Sequence, residues 1–380
     1  MNVNFPNREA VVVRDHELRV VRRLPANVEV KVRAGERITD GHVLARTDPK
    51  TAAVKIPVSE QLGVASQDAA KYLMRPVGST FGAGEGMARA RKGLRNVVAA
   101  APVAGVLLSL DSDTGIALIA PGGAGDVLSL IPGDIEFVDG KQSVSIRTVG
   151  SRLMGIVGFG PNASGVIHVL AQKPGDDLSD AKLTADLAGK IVVGGSHATA
   201  ATIRRLVELG AVALITGGFV EKEIQASLGV PSEDRLALWR LAPGEASIAE
   251  SAPTRLTLMA TEGFGVLPMH PAAFALLKEL HGVPAVLLPA TRVTGHLARP
   301  QLIVANPSLL DEDAPSGTAN LGVDAQVRIS DPSSLGIHGV VSSPLRRSRR
   351  GDGNIVDVVD VTLANGQIRI IPVANVEIVA

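Results

Sequence analysis

Short runs of apolar residues at strand length dominate the first 150 positions. Val28-Glu29-Val30-Lys31-Val32 alternates apolar and charged residues, the pattern of a strand with one buried and one wet face. Val11-Val12-Val13, Leu18-Arg19-Val20-Val21, Val43-Leu44-Ala45 and Val54-Lys55-Ile56-Pro57-Val58 read as further strands. Between them, Arg33-Ala34-Gly35-Glu36 and Ile38 to Gly41 are turns in which glycine supplies a positive φ. The pattern recurs loosely. Tyr72 to Gly78 and Phe81 to Ala88 repeat the apolar run and glycine turn, and Val97 to Val106 supplies a Pro-containing strand. Asp111-Ser112-Asp113-Thr114-Gly115 is a tight turn into Ile116-Ala117-Leu118-Ile119.

Val144 to Val169 stays strand-rich, and from Leu187 the period changes. Lys190 to Val193 is a short apolar strand. Ala198 to Leu209 carries Ile203, Leu206 and Val207 on one helical face and Arg204, Arg205 and Glu208 on the other. Ala211 to Ile215 is the next strand, so the segment reads as a β-α-β unit with a parallel pair. A helix around Val220 to Leu228, a strand at Arg255 to Ala260, a helix at His270 to Leu280 and a strand at Pro284 to Leu288 extend it. The expectation is a Rossmann-like parallel α/β core.

Asn306 to Asn320 is rich in Pro, Asp, Ser and Gly and reads as a linker. Five short strands follow: Leu321 to Ser330, Gly336 to Val341, Ile355 to Leu363, Gln367 to Pro372 and Val373 to Val379. Asn365-Gly366 is a two-residue hairpin signal between the third and fourth. Strands this short and this close together predict a small β-barrel. The expected organisation is a β-rich domain over 1–145, an α/β domain over 146–310 and a barrel over 318–380.

Composition narrows the chemistry. The formal net charge of the 380 residues is zero, which argues against a protein built wholly around nucleic acid or an acidic surface. With one Trp, one Tyr and seven Phe, the core must be aliphatic and a base-stacking platform is not expected. Absent cysteine excludes disulfides, thiolate metal sites and cysteine nucleophiles. Met1 to Pro6 has no apolar run of signal-peptide type, and no stretch is apolar enough to span a bilayer. A cytoplasmic protein without membrane insertion is the expectation.

Three expected strands run into glycine-rich segments: Gly194-Gly195-Ser196-His197, Thr216-Gly217-Gly218 and Thr261-Glu262-Gly263-Phe264-Gly265. In open parallel sheets, ligands sit outside the carboxyl ends of strands, and glycine lets backbone approach them. Gly194, Gly195, Ser196, His197, Thr216, Gly217, Glu262 and Gly263 are therefore candidate ligand-binding residues, for an anion or nucleotide. His197 and Glu262 form an acid/base pair if they face each other. The structural alternative makes the glycines connectors and Ser196 a helix N-cap. No Walker lysine, nucleophile elbow, dinucleotide fingerprint or metal-spaced histidine pair is present, so no catalytic residue, metal or cofactor is assigned. Arg346, Arg347, Arg349 and Arg350 fall within five residues, which suits phosphate contacts or a protein partner; the bland alternative is a solvated loop or a protected edge.

Two resemblances emerge. Val32-Arg33-Ala34-Gly35-Glu36-Arg37-Ile38-Thr39-Asp40-Gly41-His42-Val43-Leu44-Ala45, with Ala101-Pro102-Val103-Ala104-Gly105-Val106, resembles the barrel-sandwich hybrid modules that include lipoyl and biotinyl carriers. Carriers display a lysine between methionines or small residues at a hairpin tip. Lys50, in Asp48-Pro49-Lys50-Thr51-Ala52, lacks flanking methionines and reads as a turn lysine. The resemblance therefore implies an interaction platform. Gly322 to Ile329, Gly336 to Val341 and the terminal hairpin resemble the SH3-like barrels of the KOW type, found in transcription and ribosomal proteins. The function expected is that of a non-enzymatic binding or scaffold protein with a protein partner. Two alternatives stay open: a small-molecule binder or enzyme using the glycine crevice, and a nucleic-acid-associated factor acting through the barrel. The oligomeric state is not legible in the sequence.

Overall fold

The computed structural model describes residues 7–24, 28–47, 53–82, 84–93, 95–103, 105–121, 126–140, 143–179, 183–228, 256–289, 299–331, 334–349 and 353–379. The expected turn lysine Lys50 and the fourth arginine, Arg350, lie outside them. The fold is mostly β, with a large mixed sheet and a curled half-barrel. Its described residues form two compact units: Arg19–Arg147, and a second made of Met1–Leu18, Thr148–Ala242 and Pro253–Ala380.

The Arg19–Arg147 unit is built of short antiparallel strands. Val54–Pro57, Ile116–Pro121, Gly105–Leu110 and Thr80–Phe81 form one four-stranded sheet in that order. Gly86–Lys92 and Arg95–Ala100 form a separate hairpin. Ile56, Leu62, Phe81, Met87, Leu107 and Ile119 meet in the core of this unit, which is mainly aliphatic, with Phe81 inside it and Tyr72 packed against it. The Asp111 turn forms as its residues dictate: the Asp111 carboxylate accepts from the backbone N–H of Asp113 and Thr114, and Gly115 takes φ +67°. The strand expected at Tyr72 to Gly78 does not form: a 3-10 helix over Ser66–Tyr72 buries Ala69, and residues 73–78 are bends and turns with one isolated bridge, Leu73 to Ala88. The first two expected strands are one, Val12–Arg23. No glycine or proline interrupts it, and Asp15 absorbs the kink at φ +50° with its N–H donated to Ser151 Oγ.

The other unit carries the α/β segment and the C-terminal strands. Its elements are β1 (Ala163–Val169), β2 (Lys190–Val193), α1 (Ala200–Glu208), β3 (Ala213–Phe219), α2 (Glu221–Leu228), β4 (Thr257–Phe264), α3 (Pro271–Glu279), β5 (Pro284–Leu288) and β6 (Gln301–Ala305). The sheet order is Val157–Phe159, β4, β3, β2, β1, β5, β6, then residues 148–154. Pairs β1–β2, β2–β3 and β3–β4 are parallel, as the β-α-β pattern predicts. The rest are antiparallel, so the sheet is mixed rather than parallel throughout. The path of α3 explains this. It starts where Glu262 of β4 accepts from the His270 N–H, and the turn after it donates from Gly282 to Ile167 of β1. Its nine residues, roughly 13 Å of helix, are spent crossing the sheet instead of returning along it. β5 therefore enters from the carboxyl end of β1 and runs antiparallel to it.

The C-terminal strands are β7 (Gln326–Ile329), β8 (His338–Val341), β9 (Arg346–Arg349), β10 (Ile355–Leu363), β11 (Ile368–Pro372) and β12 (Val376–Ile378). They enclose a core of Leu321, Val327, Ile329, Val341, Val359, Val361 and Val376. The Asn365-Gly366 hairpin forms with one residue more than expected: Leu363 N donates to Gln367 O, and Gly366 takes φ +80°. This is the three-residue loop that ends in a left-handed residue. The arginine run is no loop, because β9 pairs with β10. The expected linker is also tied down: Thr318–Asn320 pairs with Asn7–Glu9, and Glu17 exchanges backbone hydrogen bonds with Pro315 and Gly317.

Candidate functional site

The glycine edge is assembled as expected, and it is filled by the protein's own backbone. Thr216, Gly217, Glu262 and Gly263 lie inside β3 and β4 rather than in turns beyond them. Gly217 N donates to Gly195 O, Gly218 N to Ser196 O, and Gly194 N to Ile215 O. A Cβ on Gly195 would overlap the carbonyl oxygen of Asp176, and one on Gly217 would overlap that of Leu267. The segments around Asp176 and Leu267 thus occupy the space a ligand would need against those two residues. Thr216 is fully buried, and its hydroxyl donates to Gly218 O.

Ser196, His197 and Asp177 meet beside this edge without forming a catalytic relay. Ser196 Oγ lies 2.5 Å from Asp177 Oδ1 and 3.2 Å from His197 Nδ1. That same nitrogen lies 2.9 Å from Asp177 Oδ1. A relay needs the carboxylate on one imidazole nitrogen and the hydroxyl on the other. Here the hydroxyl and the carboxylate share one side of the ring, and the Ser196 hydroxyl donates its hydrogen bond to the carboxylate directly. Nor does Ser196 cap α1: Thr199 does, accepting from Thr202 N.

Glu262 does not pair with His197. It sits at the centre of a buried cluster contributed by β4, α3, β7, β8 and β12. Its Oε1 accepts from the His270 backbone N–H at 2.9 Å, and its Oε2 from His338 Nε2 at 2.5 Å. The His338 and His270 rings stack with centroids 4.7 Å apart and planes inclined by 23°. His338 Nδ1 is buried and has no hydrogen-bond partner. His270 caps α3, its Nδ1 accepting from Ala272 N. Gly336 lies so close that a Cβ there would overlap the Glu262 carbonyl oxygen.

Behind Glu262, the fully buried Arg328 guanidinium donates to the carbonyls of Thr261 (2.6 Å) and Met154 (3.2 Å). Its other edge meets Glu377, with Nε 2.9 Å and Nη2 2.7 Å from Oε2. Arg299 Nε completes the group, 2.8 Å from Glu377 Oε1. Burial pushes the Glu377 carboxyl up, but Arg328 and Arg299 together outweigh it and hold the group below its ordinary range. Burial likewise raises the Glu262 carboxyl. The hydrogen bond from His338 and the charge of Arg328 outweigh that, so it too stays ionised below the ordinary carboxylate range. His338, Arg328, Glu377 and Arg299 were not singled out from the sequence. Arg328 shares a strand face with the exposed Gln326, so period two assigns it to solvent.

The arginine run becomes the edge strand β9. Arg346 bonds Asp360 at 2.7 Å, and Arg347 lies 3.8 Å from Asp357. Arg349 stands opposite Ile355, which is 68% exposed. Among the described residues no group of three or more His, Asp or Glu is placed to hold a metal ion. None of the described helices is long and apolar enough to cross a membrane.

No protein-family model matches this chain, and no curated protein is a detectable relative.

The cluster and the glycine edge each generate a test. Glu377→Gln leaves two buried guanidiniums without their carboxylate and is expected to lower unfolding stability by about 3–5 kcal/mol, read by chemical denaturation. A loss below 1 kcal/mol would mean that solvent reaches the cluster and screens it. Gly217→Ala is expected to cost about 1–3 kcal/mol by overpacking. Gly322→Ala, with open space around it, should stay within roughly 0.5 kcal/mol. Equal stabilities for the two variants would reopen the glycine edge as a ligand crevice.

Proposed function

We propose that the protein is a non-enzymatic binding or scaffold protein that engages a protein partner through the outer face of its C-terminal sheet. In this reading the N-terminal unit is a barrel-sandwich hybrid platform. The α/β segment is a Rossmann-like support, and the C-terminal strands are an SH3-like barrel. The barrel assignment draws support from strand order: β7, β8, β10 and β11 follow one another as neighbours, and β12 returns through a 3-10 turn to pair with β7.

The observation that carries the functional reading is an aliphatic patch on one sheet face, beside the arginine-rich edge strand β9. Ile368 lies opposite Thr362, which lies opposite Val340. In the neighbouring row Ile370 lies opposite Asp360, the carboxylate that holds Arg346. Ile368, Ile370 and Val340 are 61%, 59% and 39% exposed. Single exposed aliphatics are ordinary, but three on one sheet face, around Thr362 and Asp360, make a candidate interaction surface. Arg346, opposite Val358, shares this face, whereas Arg347 and Arg349 project from the other face of β9, so an acidic, aliphatic segment running along this edge strand meets cations on both of its sides. The edge strand β9 offers that segment backbone partners as well.

Two variants test this with the protein used as bait in its own host. Ile368→Ser/Ile370→Ser and Arg347→Glu/Arg349→Glu alter exposed side chains, so both should fold like wild type. A partner held by wild type should be weakened at least about tenfold by each, the effect of losing anchors worth ~1–2 kcal/mol. A partner retained equally by both variants overturns the assignment of this face. Duplex DNA and RNA are measured in parallel by fluorescence anisotropy at rising salt. Tight binding that falls steeply with salt and vanishes in Arg347→Glu/Arg349→Glu would replace the protein partner by nucleic acid.

A further inference from the structure

We propose that the His270–His338 stack is an acid-operated release, which loosens β8 and the turn before it from Glu262 of β4 as pH falls below neutral. The argument starts from hydrogen-bond direction. Ala272 N–H needs an acceptor, and His270 Nδ1 supplies it only while it carries no proton. Protonation there turns the acceptor into a donor facing a donor. It also sets a positive charge at the amino end of α3, where the helix dipole disfavours it.

The surroundings add to this cost. From β8, the His338 ring faces His270 at 4.7 Å. From β7, the Arg328 guanidinium stands behind Glu262, with Glu377 of β12 engaged on its far side. From β4, Glu262 is the one carboxylate that favours a charged His270, and both its oxygens are already in use by His338 and the His270 backbone N–H. Burial is the largest influence on His270; with His338 and Arg328 it outweighs Glu262 and holds the imidazole below its ordinary value of 6.5.

The sign follows directly. A histidine held neutral in the closed state takes up a proton when the site opens into water. Closure is fully stable above about pH 6.5 and weakens as pH falls from there toward the depressed value. The elements freed are the ones His338 and Gly336 tie to Glu262, namely β8 and the turn before it. The same contacts position the strand row of the proposed partner face, yet the release stands on the histidine geometry alone.

Hydrogen–deuterium exchange on the full chain tests it, with rates corrected for the intrinsic pH dependence. Between pH 7.5 and 5.5, protection of residues 262–274 and 334–341 is expected to fall by up to about tenfold per pH unit, the limit for one proton taken up on opening. His270→Asn keeps a strong N-cap but cannot titrate, and its protection should stay flat across that range. Flat protection in wild type overturns the proposal, as does an equal fall in wild type and His270→Asn. Should the variant fold poorly, an NMR titration of wild type decides. The amides of Gly263 and Gly336 must shift along the His270 ring titration, and unmoved amides through that titration sink the idea.

Discussion

Buried guanidinium charge is the constraint around which the larger unit is organised. Arg328 is enclosed by main-chain carbonyls of the sheet on one side and the Glu377 carboxylate on the other. Arg299 meets the second oxygen of that carboxylate. A buried ion pair is weak evidence for net stability, because its desolvation offsets much of its attraction. It is strong evidence for arrangement, since separating the groups leaves charges without partners. The carbonyls of Met154 and Thr261 belong to two different strands, so one side chain fixes where both stand relative to β7. Glu262 extends the group. The formal charges of Arg328, Arg299, Glu377 and Glu262 balance, so a proton added at His270 has no counter-charge left to meet it. This is why His270 is the place where a proton has leverage on the fold.

The glycines serve the same close packing. Gly195 and Gly217 sit where backbone meets backbone, and Gly336 brings the C-terminal strands against Glu262. A glycine that admits a ligand and one that admits a neighbouring strand are identical in sequence. Space decides between them: here the carbonyls of Asp176 and Leu267 fill the position a side chain or ligand atom would take at Gly195 and Gly217. The Ser196–His197–Asp177 group belongs to this packing. Its shared use of one imidazole nitrogen anchors the Asp176–Asp177 segment across the strand ends.

Much of the secondary structure was legible because it follows period. Helices α1, α2 and α3 fall within two residues of the segments their apolar spacing marks, and β8, β10 and β11 stand where alternation places them. Strand direction was not legible. Whether a nine-residue helix returns along a sheet or crosses it depends on where both its ends are held, here by Glu262 and Ile167, and neither contact is local. The arginine run hid β9, because charge without alternation resembles a loop. Glu262 was found through its glycine neighbours, but its partners were not. Arg328 and His338 occupy faces that local pattern assigns to solvent, and only packing within the unit buries Arg328.

These features bear on function in one direction. In the Glu262 cluster the carboxylates are committed to internal hydrogen bonds, and His338 Nδ1 is buried. The large aliphatic side chains of β10 and β11 take the opposite course. A chain so poor in aromatics builds its cores from valine, leucine and isoleucine, so each isoleucine left in water is withheld from a core that needs it. Ile355, Ile368 and Ile370 stand beside cores made of the same residue type. Burying them would need no new chemistry, only a surface brought against them. A partner of the kind proposed would cover Ile368 and Ile370 on one face and set carboxylates against Arg347 and Arg349 along the edge strand.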